Sequence, residues 1–156
     1  MIFVSTGGIP NKPAYETSKL LIRNGIKKIE LSGGSYDKDN LSELKKLKSE
    51  AEFKVHNYFP PPKDPFVLNL ASINTEIAKR TIEHIKTAIN WSVKLDRPVY
   101  SFHAGFLIDP KLEEFGKKIS NRKLNNRKNG LKIFIDRVSK LADYAKTKGV
   151  QLLVEN

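Results

Sequence analysis

Two histidines and a glutamate carry most of the chemistry legible in this chain. His56 ends the run Phe53-Lys54-Val55-His56, His103 ends Tyr100-Ser101-Phe102-His103, and Glu155 ends Val150-Gln151-Leu152-Leu153-Val154-Glu155. Each run is short, apolar and alternating, as strands are, so the three side chains stand at the C-terminal tips of successive strands. Imidazole and carboxylate donors without thiolate suit a divalent ion such as Zn, Mn, Fe or Co. One histidine on a strand is ordinarily a satisfied structural residue. Two histidines and a glutamate in equivalent positions read instead as metal ligands. Glu30, on an earlier strand, reads either as a substrate contact or as a buried structural acid. Asn57, beside His56, joins Glu30, His56 and His103 as a candidate substrate contact. His84 lies in a helical stretch among polar neighbours and is expected to be solvated.

The elements that must position these residues follow from the apolar pattern. Ile2-Phe3-Val4 predicts a first strand, closed by Gly7-Gly8, and the helical spacing from Pro13 to Asn24 ends at Gly25. Lys28 to Ser32 predicts a second strand stopped by Gly33-Gly34, and Leu41, Leu44 and Leu47 mark one face of a second helix. Phe53 to Asn57 follows as a third strand. Phe59-Pro60-Pro61-Pro62 then excludes helix and inner strand, because proline lacks the backbone donor, and reads as a rigid rim loop. Ser72 or Asn74 is placed to cap a long third helix with the buried stripe Ile82, Ile85, Ile89 and Val93. Pro98 to His103 is a fourth strand. A polar loop leads to a fourth helix with Leu131, Ile135, Val138, Leu141 and Ala145 on its apolar face. Lys148-Gly149 closes that helix before a fifth strand, Val150 to Glu155.

Strand and helix alternate with short connections, which predicts parallel strands and right-handed crossovers. Periodicity alone admits an open doubly wound sheet or part of an eight-stranded barrel of roughly 250 residues. The strand faces decide between them. Ile29 and Leu31, Val55, Tyr100 and Phe102, and Leu152 and Val154 form oily faces for helices; the opposite faces carry Glu30, His56, Ser101, His103 and Glu155. An open sheet covers both faces with helices, where the four ionisable groups Glu30, His56, His103 and Glu155 on one face would be hard to explain. A barrel turns that face into its lumen, with the active site at the C-terminal end.

Bulk composition bounds the rest. At 156 residues, with 39% hydrophobic and 29% charged residues, the chain is expected to form one soluble domain. It contains no cysteine, which excludes disulfides, thiolate metal sites and a cysteine nucleophile. No signal-peptide pattern opens it, and no run approaches the ~20 apolar residues of a membrane span, so a cytoplasmic protein is expected. The net charge of +11 is mostly lysine spread over helix faces, as on Lys45, Lys46 and Lys48. A denser basic stretch runs from Lys111 through Lys117, Lys118, Arg122, Lys123, Arg127 and Lys128 to Lys132, against Glu113 and Glu114. The glycine pairs fit neither the dinucleotide-binding nor the P-loop pattern and read as tight turns.

His56-Asn57-Tyr58, Asn69-Leu70-Ala71-Ser72, Ser101-Phe102-His103-Ala104-Gly105 and Leu153-Val154-Glu155-Asn156 occur in the order seen in the xylose isomerase-like barrels. The chain resembles that superfamily over nearly its whole length. The superfamily holds sugar-phosphate isomerases and epimerases together with zinc-dependent apurinic endonucleases. The resemblance implies that Glu155 is a metal ligand and, in the isomerase branch, that it also moves a proton on the substrate. His56 and His103 look like the zinc ligands of the endonuclease branch, or like substrate contacts near the metal in the sugar enzymes. Further Asp, His and Glu ligands, including a second catalytic glutamate, come in the family from later strands that this chain does not contain.

The expected fold is therefore an α/β, TIM-type parallel barrel, incomplete after five strands and four helices, with residues 1–156 as a single partial domain. The expected function is a metal-dependent isomerase or epimerase of a sugar or sugar phosphate, using Mn, Zn, Co or Mg, and inactive in this span alone. The basic stretch after the fourth strand would then bind a substrate phosphate. A zinc phosphodiesterase acting on abasic DNA is the alternative that the positive charge favours, although the proline loop and His103-Ala104-Gly105-Phe106 fit it less well. A non-catalytic partial barrel is a third reading. Its first and fifth strands are open edges, which would demand a second half or a homo-oligomer.

Overall fold

The apolar runs after the first become parallel strands, while the first, expected at Ile2-Phe3-Val4, contributes only Val4 to a two-residue strand with Ser5, and the helical periods pack against one face of the resulting sheet. The computed structural model describes residues 2–9, 11–114, 117, 119 and 122–155. Its elements are β1 (Val4–Ser5), α1 (Ala14–Arg23), β2 (Lys28–Leu31), α2 (Asn40–Lys46), β3 (Glu52–His56), α3 (Thr75–Lys94), β4 (Val99–His103), α4 (Arg127–Thr147) and β5 (Gln151–Glu155). Short 3-10 turns lie at Thr6–Gly8 and Leu112–Glu114. The five strands form one parallel sheet in the order β1-β2-β3-β4-β5. Right-handed crossovers between neighbours taken in sequence put every helix on the same face. A doubly wound sheet must reverse its strand order somewhere, and this one does not.

The helix-facing side is the core. Ile29, Leu31, Phe53, Val55, Tyr100 and Phe102 are all buried, together with Leu44, Ile85, Ala88, Ile89, Leu141 and Ala145 from the helices. Each large side chain so covered contributes about 1.5–3 kcal/mol by leaving water. Asn74 rather than Ser72 caps α3, its side chain accepting from the backbone N–H groups of Glu76 and Ile77. Phe59 is buried edge-on against Trp91 at 5.4 Å, so the proline-rich segment is pinned to α3 at its first residue.

Three expectations are corrected here. Val93 is 41% exposed; the buried stripe of α3 runs instead through Ala78, Thr81, Ile85, Ala88, Ile89 and Ser92. Leu131 and Ile135, expected in the core, are each 54% exposed, whereas Val138 is half-buried against the core and Leu141 and Ala145 are buried. The first half of α4 is instead held by Gly130, which is buried, by Phe134, which packs on the core, and by Arg137, which donates to the carbonyls of Leu70 and Ser72, both at 2.7 Å.

The third correction is His84, which is not solvated but 8% exposed. Its ring stacks on Tyr58 at 5.7 Å and meets Phe66 edge-on at 6.3 Å. A hydrogen bond with the Asn57 backbone engages one side of the ring; the buried Nε2 has no partner. Burial holds its pKa down to about 4 against an ordinary value of 6.5. A base depressed in this way stabilises the fold fully above its unfolded pKa, and that support is lost as pH falls from 6.5 toward 4. Between pH 7 and pH 5 the expected loss is about 2 kcal/mol. Urea unfolding at both pH values should show this loss in the native protein and a clearly smaller one in His84→Leu. Equal losses in the two proteins would rule out His84 as the source.

Candidate active site at the strand tips

β-Sheet pairing carries the three principal residues to one place. The register opposes His56 to Ser101 and His103 to Glu155. The ladder continues past the tips, where the Asn57 N–H donates to the Ser101 carbonyl at 2.6 Å and the Ala104 N–H to the Glu155 carbonyl at 3.1 Å. His56, Ser101, His103 and Glu155 therefore project on one face, opposite the core residues Val55, Tyr100 and Phe102. The His56 and His103 rings lie 5.3 Å apart, nearly perpendicular at 87°. His56 Nδ1 is 2.8 Å from the Ser101 hydroxyl oxygen and 3.6 Å from Glu155 Oε1. Ser101 is fully buried, so it is a fixed point against which the imidazole is oriented.

Glu30 sits on the same face, paired through the register with Lys54. Lys54 Nζ lies 3.5 Å from Glu30 Oε2, with both side chains about one-fifth exposed. Two strand positions below His56, this pair forms the layer under the site. Burial is the largest influence on His56 and lowers its pKa; the carboxylates of Glu30 and Glu155 oppose that shift, while His103 and Lys54 add to it. The imidazole is thereby held toward its neutral form, in which one ring nitrogen donates and the other accepts.

Asn57 turns the chain just beyond His56 with φ at 28°, in the left-handed region. Its carbonyl accepts from the buried Tyr100 hydroxyl at 2.9 Å and from the Phe59 N–H at 2.7 Å. The backbone at the tip of β3 is thus tied to β4 from two directions. Tyr100 spends its only polar side-chain atom on this tie, and burial pushes its phenol well above the usual range.

As ligands of a divalent ion these residues fit in part. Donors that each lie about 2.0–2.2 Å from one ion are themselves roughly 3–4 Å apart, and His56 Nδ1 and Glu155 Oε1 satisfy that at 3.6 Å. Among the described residues, however, no group of three or more His, Asp and Glu side chains is gathered closely enough to hold an ion. The donor chemistry fits; the count amounts to part of a coordination shell.

Sequence reasoning brought together His56, His103 and Glu155, and the structure does place them side by side. Glu30 lies in the layer beneath, and Asn57 sits at the rim. Two further residues of the site carry no role in the sequence reading. Lys54 and Ser101 lie two positions before His56 and His103, so the alternation of a strand already put them on the lumen face. Of the basic stretch from Lys111 to Lys132, Lys118 lies outside the described residues. Arg122 donates to the Asp109 carbonyl at 3.0 Å and to Glu114 Oε2 at 2.5 Å, which commits its guanidinium within the loop.

A parallel sheet wound in sequence order, with ionisable side chains gathered at its C-terminal rim and helices on the other face, defines a protein of the TIM-barrel class. The chain belongs to the xylose isomerase-like TIM barrel family, whose family model matches residues 19–156. Among solved structures it is similar to a D-tagatose 3-epimerase-like protein at 25% identity and a TM-score of 0.64, over 94% of this chain and 52% of the other. An L-ribulose 3-epimerase superposes with a TM-score of 0.66 at 16% identity, over 97% of this chain and 48% of that one. A protein from Thermus thermophilus, in a structure soaked with ZnCl2, matches with a TM-score of 0.61 at 19% identity, over 99% and 55% of the respective chains. The chain thus spans about half the length of the solved structures it matches. No protein with a curated functional description matches it.

Proposed function

We propose that the protein is a divalent-metal-dependent isomerase or epimerase of a small sugar, and that residues 1–156 supply one side of its active site. The observation that carries this reading is the convergence of His56, His103 and Glu155 at the tips of β3, β4 and β5. When bound, the ion would polarise a carbonyl and its neighbouring hydroxyl and so acidify the C–H bond between them. Glu155 and His56 would hold it, with His103 beside them and further ligands from outside these residues.

Glu155 is the proton carrier in this proposal. Its carboxylate is about half exposed at the open rim, where it can take a proton from the carbon beside the carbonyl and return it. His56, neutral and oriented by Ser101, would hydrogen-bond a substrate hydroxyl or coordinate the ion, and Asn57 and Glu30 would complete the polar contacts. No described helix is long and apolar enough to cross a membrane; a cytoplasmic setting is part of the proposal.

The test is solvent exchange. The complete native polypeptide, supplied with Mn, Zn, Co or Mg in D2O, should introduce one deuterium at the carbon next to the carbonyl of its ketose substrate, read by mass spectrometry. Absence of exchange across a panel of ketoses and their phosphates would remove the isomerase reading. Salt-sensitive incision of abasic DNA by the same preparation would replace it with the phosphodiesterase.

A further inference from the structure

Beside His103 the rim opens into a cavity of about 310 Å³. Its wall is made by Tyr58, Phe66, Val67, Leu68, Phe106 and Leu112, with Asn57 and His103 at the end nearest the strand tips. Phe106 is 37% exposed and Leu112 47% exposed. Large apolar side chains left open around a concavity that is continuous with a polar site mark a place where a ligand covers them.

The wall contains no lysine, arginine, aspartate or glutamate among the described residues. Two described cations nearby are already committed. The Arg80 guanidinium lies over the Phe66 ring at 4.1 Å, outside the cavity lining, and donates to the Asp64 carbonyl at 2.9 Å. Arg122 is held by Glu114 and the Asp109 carbonyl. A phosphate entering here would give up its water with no cation in the described wall to replace it, which disfavours it. The phosphate expected beside the basic stretch therefore has no place in this cavity. A methyl group gains what the phosphate would lose, because it covers apolar surface and asks for no hydrogen bond.

We propose that the substrate is an unphosphorylated deoxy sugar whose methyl end, remote from the reacting carbonyl, lodges in this cavity. The Asn57 amide meets the last hydroxyl before the methyl group, and the carbonyl end lies toward His56 and Glu155. This inference rests on the isomerase or epimerase reading of the site and adds the class of sugar.

The experiment compares a 6-deoxyketohexose, the parent ketohexose and its 6-phosphate on the complete protein with metal, by deuterium exchange and by contacts from the protein's aromatic protons to the C6 group in NMR. The deoxy sugar is expected to exceed the parent in kcat/KM by about tenfold and the phosphate by at least about a hundredfold. Its methyl should show contacts to the aromatic side chains. Leu112→Arg, a change at an exposed rim position, should erase most of that preference. A phosphate ester processed as well as the deoxy sugar would overturn the proposal. So would an undiminished preference in Leu112→Arg. Methyl contacts without exchange would support the cavity assignment while removing the isomerase reading, and loss of both would remove the two together.

Discussion

Glu155→Gln is expected to lower kcat/KM of the complete protein for its sugar by about a thousandfold while leaving the fold intact. General acid–base catalysis by a placed side chain contributes roughly 10²–10⁴ in rate, and an amide cannot carry the proton. The size and shape of the side chain are kept, and Glu155 is 43% exposed at the rim, so the change in stability should stay within about 0.5 kcal/mol. The strand is indifferent to the substitution because β5 is held by its backbone, from the Gln151–Val99 pairing to the Ala104 N–H on the Glu155 carbonyl. Ser101→Ala makes the informative companion. It removes the hydroxyl 2.8 Å from His56 Nδ1 and should cost about tenfold in kcat with little effect on KM, because it loosens the imidazole without removing it. Urea midpoints and bound-metal content matching the native protein, with exchange reduced about a thousandfold in one variant and about tenfold in the other, would separate the proton carrier from the positioning residue. Activity within about tenfold of native in Glu155→Gln would remove Glu155 from the chemistry.

The parts of this site that could be read from the chain share one property: they depend on period-two alternation along strands. Once Val55 and Phe102 are assigned to the helix side, His56 and His103 must face the lumen, and in-register pairing does the rest. The same rule held the signal for Lys54 and Ser101. It placed Ser101 on the lumen face without showing that its hydroxyl meets His56, and only the neighbouring strand shows that Lys54 meets Glu30. His84 is a comparable case on a helix. It stands three residues after Thr81 and four before Ala88, both buried, so the helical period placed it in the covered arc. Its polarity suggested solvent, and the aromatic partners Tyr58 and Phe66 that bury it come from a loop whose path no periodicity describes.

Exposure of Leu131 and Ile135 has a different cause. An apolar stripe records what a helix face is suited to meet, not whether the partner lies within the same span of chain. Apolar side chains near the end of β5 are also left open, like those on the first half of α4: Leu153 is 38% and Val154 44% exposed. Under the proposed function, in which these residues supply one side of an active site, such surfaces would be faces that meet the rest of a barrel. The cavity beside His103 is another matter, because it is bounded by residues of this chain and its apolar wall is already formed.

The loops that form that wall are joined by a clasp, and breaking it should be the most damaging single change outside the core. Asn69, 1% exposed, donates through Nδ2 to the carbonyls of Phe106 at 3.1 Å and Ile108 at 2.8 Å and to Asp109 Oδ1 at 2.8 Å. Its Oδ1 accepts from the N–H groups of Ala71 and Phe106, both at 3.0 Å. One amide thereby satisfies the backbone of two loops, those following β3 and β4. Asn69→Ala leaves several buried backbone groups without partners at about 1–3 kcal/mol each, so a loss of about 4 kcal/mol is expected. Gly105 belongs to the same clasp. Its φ is +118°, and an added Cβ would stand 2.7 Å from Asn69 Oδ1. Gly105→Ala is therefore expected to cost about 3 kcal/mol, part from backbone strain and part from the clash. The two parts can be separated. With Asn69 already replaced by alanine the clash is gone and only the strain remains, so the double variant should be less destabilised than the sum by about 1–2 kcal/mol. Urea unfolding of the four proteins measures the coupling. Strict additivity would mean that the loop after His103 is held by something other than Asn69; the expected coupling would make that amide the part of the fold that keeps the wall of the cavity in register with the strand tips.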